Sequence, residues 1–115
     1  MLTDNIANCN GHESGSASPC EGNGTGDGIA CGTNCVISGN VANANAGNGI
    51  TAGNYDNVTS NVAAGNGGVG ILEGTGAVAG KNVLDGNSVN DLVGGTAVCG
   101  DICSGKACTG SASCL

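Results

Sequence analysis

A 21-residue repeat is the feature that most constrains how this 115-residue chain can fold. Several sets of like residues recur in phase at this interval, over three or four copies, which is the pattern of a stacked solenoid. The main registers are Ile29, Ile50, Ile71 and Leu92; Val41, Val62 and Val83; Asn40, Asn61 and Asn82; and Asn45, Asn66 and Asn87. A glycine register (Gly32, Gly53, Gly74, Gly95) is followed at once by Thr33, Asn54, Thr75 and Thr96.

The apolar stretches within each repeat are only a few residues long and are bounded by glycine or asparagine. Apolar stretches of this length, bounded in this way, are typical of short strands, because a helix requires ten or more residues with a helical period. The 24 glycines also disfavour helix, by up to about 1 kcal/mol at each position. We therefore predict an all-β parallel solenoid of about four to five coils, written as 28–48, 49–69, 70–90 and 91–111.

Stacking places like residues above like, with successive coils about 4.8 Å apart. We expect the isoleucine and valine registers to line a continuous apolar interior. The asparagine registers are expected at the turns, where identical amides can hydrogen-bond along the stack and tolerate a left-handed backbone. Each coil buries little on its own, so the stability of the fold comes from contacts between neighbouring coils.

The order Gly-Ile, a Val or Ile, Asn-Val and an Asn five residues later is clearest in residues 58–71. It resembles the repeats of right-handed parallel β-helix proteins of the pectate-lyase-like kind. The resemblance covers about residues 28–98 and concerns the fold alone, since such repeats are degenerate. It implies a right-handed coil, and a left-handed solenoid stays open as the alternative.

Eight cysteines lie in two groups, four at each end, with none between residues 36 and 98. Four cysteines at an end allow two disulfides with three possible pairings, and disulfides indicate an oxidising, extracellular or cell-surface location. The chain is accordingly divided into a Cys-containing N-terminal cap or broken coil (1–27), the solenoid repeats (28–98) and a Cys-rich C-terminal coil and cap (99–115). The disulfide candidates are Cys9, Cys20, Cys31, Cys35, Cys99, Cys103, Cys108 and Cys114.

Two of these cysteines continue the asparagine registers at the C-terminal end. Cys103 follows Asn82 by one full period of the repeat, and Cys108 follows Asn87 by the same interval. We therefore predict that disulfides replace the amide hydrogen bonds where the stack stops.

The net charge of −7, with only Lys81 and Lys106 as basic residues, disfavours nucleic acids and anionic membrane surfaces as partners. No apolar run approaches the roughly 20 residues that span a bilayer.

Residues 1–5 lack the basic and apolar regions of a signal peptide, so we expect either a mature chain or a secretion route that does not use a signal peptide. Asn23 and Asn57 are candidate glycosylation sites, which matter only in a secreted protein.

No set of residues predicts catalysis, and we expect neither enzymatic activity nor a cofactor. Polysaccharide lyases with such a fold use calcium-binding carboxylates beside a basic residue, whereas Asp56 and Asp85 lie in different registers; we interpret these charges as solvated turn residues. Cys9 and His12 have a metal-ligand spacing that Cys31 and Cys35 could complete, but disulfides are the preferred interpretation and no metal site is predicted.

A mechanical role is the function that these observations favour. Both ends of a parallel solenoid expose unpaired backbone groups, and a head-to-tail contact between copies generates a filament. We therefore predict an extracellular structural protein, a filament or matrix subunit that binds itself and is stabilised by disulfides. The alternatives are a monomeric ice-binding solenoid, which would use the Thr33 to Thr96 register, and a carbohydrate-binding or adhesin module with glycans as partners.

Overall fold

The structure is a computed structural model that describes residues 1–11, 26–97 and 100–104. These residues form short strands and no helix, which confirms the predicted all-β parallel solenoid. No helix in this part of the chain is therefore long and apolar enough to cross a membrane. The strands are β1 (Leu2–Thr3), β2 (Ile29–Ala30), β3 (Val36–Ser38), β4 (Val41–Asn43), β5 (Ile50–Ala52), β6 (Asn57–Thr59), β7 (Val62–Ala64), β8 (Ile71–Gly80), β9 (Val83–Asp85), β10 (Leu92–Ala97) and β11 (Ile102–Ser104).

The strands pair in parallel in a seven-stranded and a four-stranded sheet. Strand β8 pairs through its first residues with β5 and through its last residues with β6, so the larger sheet covers two sides of the coil. The first side contains β2, β5, β8 and β10, and the second contains β1, β3, β6, β8 and β10. The third side is the four-stranded sheet β4, β7, β9 and β11.

The pairing register follows the period of the repeat through the middle of the stack. Ile29 pairs with Ile50, Ile50 with Ile71, and Ile71 with Leu92. The described residues make about three turns, fewer than the four to five coils predicted. The difference arises at the ends, where the chain contributes only parts of coils to the stack.

The isoleucine register lies in the interior, where the Ile50, Ile71 and Leu92 side chains are fully buried. The prediction that the valine register also lines the interior is wrong, since Val83 is 42% exposed and Val41 and Val62 are only half-buried. The preceding asparagine points inward, so strand alternation turns each valine outward and buries the next residue instead. The interior residues on this side are Ala42, Ala63 and Leu84.

The asparagines of the repeat form two buried ladders along the stack. Asn61 illustrates the geometry: its Nδ2 donates to Asn82 Oδ1 and to the Ile37 carbonyl, both at 3.0 Å. Its Oδ1 accepts from both the backbone N and the Nδ2 of Asn40, at 2.9 and 3.0 Å. Each ladder therefore provides hydrogen-bond partners for backbone groups at one corner of the coil as well as for its own side-chain amides. The fully or almost fully buried members are Asn40, Asn45, Asn61, Asn66, Asn82 and Asn87.

The N-terminal segment 1–11 also joins the stack. Leu2 pairs with Ile37 and Ile6 with Val41, and the Nδ2 atoms of Asn5 and Asn10 extend the two ladders to Asn40 and Asn45. These partners are 35 residues apart instead of 21. The additional length corresponds to the segment 12–25, which lies outside the described residues.

The last coil is shorter than the repeat, and this corrects the predicted position of Cys103. Thr96 pairs with Val78 after a register shift, and Asp101 lies opposite Asn82 at a separation of 19 residues. Asp101, not Cys103, continues the asparagine register, while Cys103 pairs with Leu84 and packs against the core. The predicted replacement of the ladder amide by cysteine is therefore wrong at this position, because residues are deleted from the coil before it.

Candidate functional site

Within residues 1–11, 26–97 and 100–104, the strands at both ends of the stack pair with one described strand each. At the N-terminal end β1 pairs with β3 and β2 with β5, and at the C-terminal end β10 pairs with β8 and β11 with β9. Ile29 and Cys31 donate their backbone N–H groups to the carbonyls of Gly49 and Thr51. Because alternate residues of a strand present their N–H groups to opposite sides, the N–H of Ala30 points away from the stack.

The amide hydrogen bonds of both ladders point in one direction along the stack, and each ladder ends at an aspartate. Every ladder amide donates through its Nδ2 toward the following coil, so the exposed Asn5 and Asn10 side chains present their Oδ1 acceptors at the N-terminal end. At the other end an aspartate accepts the last bond: Asp101 Oδ1 from Asn82 at 2.9 Å and Asp91 Oδ1 from Asn87 at 2.8 Å. A carboxylate cannot donate onward. The amide ladders therefore end within one chain.

Asp91 illustrates how one residue of the repeat is changed where a ladder ends. It occupies the register of Gly49 and Gly70, where a Cβ at Gly70 would lie 2.5 Å from the Nδ2 of Asn87. Glycine is required there because the amide of the ladder fills the space beside the backbone. At position 91 the carboxylate itself receives the Asn87 amide, so a side chain fits where the earlier coils need glycine.

Besides Asp91, two further carboxylates are buried, and sequence reasoning missed both. Asp56 is fully buried and accepts the N–H groups of Cys35 and Gly53, each at 2.8 Å. Its interpretation as a solvated turn residue is wrong, whereas Asp85 is exposed as expected. The signal was available in the repeat, because Asp56 precedes the buried Ala77 by one period and so shares its register.

Glu73 is the second interior carboxylate, only 6% exposed, and neither of its oxygens has a hydrogen-bond partner. Burial, together with the negative charges of Asp101 and Asp56, raises the pKa of Glu73 to about 7. The Oδ2 atom of Asp101 is likewise buried and without a partner. The C-terminal part of the stack therefore holds negative charge in a poorly solvated environment.

The described cysteines are all in disulfides. Cys31 and Cys35 are bonded to each other, with Cα atoms 6.5 Å apart, and Cys9 and Cys103 are also disulfide-bonded. The metal site of Cys9, His12, Cys31 and Cys35 that the spacing allowed is not assembled, because Cys9 lies beside Asn43, on the third side of the coil. The remaining predicted positions, Cys20, Cys99, Cys108, Cys114, His12 and the sequon residue Asn23, lie outside the described residues.

The outer surfaces bear on the alternative functions. Thr33, Asn54 and Thr75 are exposed, and Thr33 pairs with Asn54, but Thr96 has moved beside Val78. The threonine register is therefore interrupted. Asn57, a candidate glycosylation site, is exposed in β6. A continuous outward row on the third sheet is apolar and consists of Ile6, Val41, Val62, Val83 and Ile102.

No protein-family model, curated protein or solved structure matches this chain.

Proposed function

We propose that the protein is an extracellular structural subunit that assembles head to tail into a filament or matrix. The observation that carries the proposal is that the described part of the chain forms one parallel stack, with β1 and β2 as the end strands on one side and β10 and β11 as the end strands on the other. Such edges accept a further strand. A join between the β10/β11 end of one copy and the β1/β2 end of the next is heterologous, so it repeats without closing.

The backbone would form this join, since the side-chain ladders do not continue across it. The C-terminal end offers Asp101 and Asp91, and the N-terminal end offers the acceptors of Asn5 and Asn10, so acceptor would meet acceptor. Strand pairing between the end coils would stabilise the contact, and disulfides at Cys9 and Cys103 would hold each end coil in shape. Disulfides also support the extracellular or cell-surface location.

The second side of the stack contains five paired strands, β1, β3, β6, β8 and β10. At about 4.8 Å per strand, one subunit would add about 24 Å to a filament. The turns connect parallel strands, and connections of that kind are right-handed in nearly all sheets. We infer that the coil is right-handed, as in the pectate-lyase-like β-helices that the repeat resembles.

Replacing Ala30 with proline is expected to weaken assembly without unfolding the subunit. Proline removes the one N–H of β2 that points away from the stack, and proline is tolerated on edge strands. Sedimentation velocity of the oxidised protein across a concentration series should show species that grow with concentration for the wild type and much smaller ones for the Ala30→Pro variant.

The matched control is Ala30→Ser, which keeps the N–H group and should assemble like the wild type. Equal assembly of Ala30→Pro and Ala30→Ser would contradict a join through β2. A wild type that stays monomeric at every concentration would overturn the filament itself and would favour a monomeric ice-binding or glycan-binding solenoid.

A further inference from the structure

Three potential metal ligands converge at the corner between the first and second sides of the coil. One ligand atom each from Cys31, Cys35 and Asp56 lie within 4.8 Å of one another. Cys31 directly follows β2 and Cys35 directly precedes β3, and Asn34, which lies between them at the corner, has a φ of 56°. Asp56 occupies the register of Cys35 one coil further on, so the repeat itself brings the carboxylate beneath the cysteine pair.

The backbone holds these ligands in place. Cys31 donates its N–H to the Thr51 carbonyl, and Cys35 donates its N–H to Asp56 Oδ1. The second oxygen of Asp56 accepts from Gly53, so the carboxylate orientation is fixed from two sides. A carboxylate oxygen has two lone pairs, which leaves acceptor capacity for a cation. The cysteines are half-buried, so the site can be reached from solvent.

We propose that opening of the Cys31–Cys35 disulfide creates a binding site for a divalent transition metal of the zinc class, with two thiolates and the Asp56 carboxylate as ligands. Zinc is bound tetrahedrally by such sulfur and oxygen ligands. Three protein ligands would leave the fourth position for water. This inference does not depend on the proposed filament.

The step is balanced by an external thiol or phosphine reductant. A phosphine and one water molecule convert the S–S bond to two thiols, and the phosphine leaves as its oxide; alternatively, two external thiols supply the two electrons and two protons and leave as their own disulfide. Binding of the divalent ion then releases both thiol protons, so affinity should rise with pH. Zn–S bonds of about 2.3 Å place two sulfurs about 3.8 Å apart in a tetrahedron, so the two cysteine side chains must move apart once the bond between them is broken. The Asp56 carboxylate already lies within 4.8 Å of both sulfurs.

Cobalt(II) titration of the full-length protein tests the site, because cobalt(II) bound to thiolates shows charge-transfer absorption that a carboxylate alone does not give. After reduction with a phosphine, the wild type should bind at least one more equivalent of cobalt(II) with thiolate absorption than the Cys31→Ser/Cys35→Ser variant, and zinc should displace it. The double variant keeps every other cysteine, so the difference isolates this pair. The oxidised wild type should lack this equivalent.

Asp56→Asn tests the third ligand and should weaken cobalt(II) binding at least tenfold while the thiolate absorption persists at saturation. Circular dichroism of each variant checks that the solenoid is retained. If Asp56→Asn unfolds, the comparison of the wild type with the double cysteine variant still decides the proposal. Equal cobalt(II) binding by reduced wild type and the double variant would overturn it, as would Asp56→Asn binding with unchanged affinity.

Discussion

Replacing Asn61 with alanine is expected to lower the free energy of unfolding by about 4 kcal/mol, because several buried polar groups lose their partners at once and each one left unpaired costs about 1–3 kcal/mol. The side chain is fully buried and makes four hydrogen bonds, to Asn40, Asn82 and the Ile37 carbonyl. Alanine leaves the Asn40 donors without their acceptor and opens a cavity in the middle of a ladder. The combined loss approaches the largest effects of single substitutions.

Urea denaturation followed by circular dichroism measures this loss, and Asn57→Ala is the matched control. Asn57 belongs to the same repeat but lies exposed in β6, so its replacement should change the unfolding free energy by less than about 0.5 kcal/mol. Similar losses for the two variants would show that the buried ladder does not determine stability.

Stability is expected to fall as the pH rises from about 4.5 to about 7, because of Glu73. The pKa of Glu73 is raised from 4.5 to about 7 in the folded protein, so within this window the folded state holds a proton that the unfolded chain has lost. Raising the pH therefore favours unfolding, and this contribution to stability is complete below pH 4.5 and lost above about pH 7. A shift of this size corresponds to roughly 3 kcal/mol.

Glu73→Gln should remove this part of the pH dependence, since the amide does not titrate. Denaturation series at several pH values compare it with the wild type and with Asp85→Asn, which removes an exposed carboxylate and should keep the wild-type slope. If Glu73→Gln and the wild type lose equal stability between pH 4.5 and 7, the buried carboxyl is not the group responsible.

The repeat predicted the architecture because stacking in register depends on few side chains. Ile50 and Ile71 carry no polar atoms and recur at the period, and their predicted position in the interior is confirmed. The valine register was misplaced because the period identifies equivalent positions but not which side of the strand they occupy. The buried asparagine before each valine decides that question, and its burial depends on hydrogen bonds to other coils.

The ends could be predicted less well, since the period breaks there. A deletion in the last coil moves Asp101 into the position that the regular count assigns to Cys103. At the other end the 35-residue offset hides the continuation of the ladder to Asn5. Asp56 and Glu73 were also overlooked, because burial of a carboxylate contradicts its ordinary preference.

Electron microscopy of the native protein, with and without reductant, tests the central claim of end-to-end assembly most directly. The account predicts regular filaments with an axial rise of about 24 Å for each subunit, which shorten or disperse when reductant opens the disulfides of the end coils. Isolated compact particles in both conditions would contradict it.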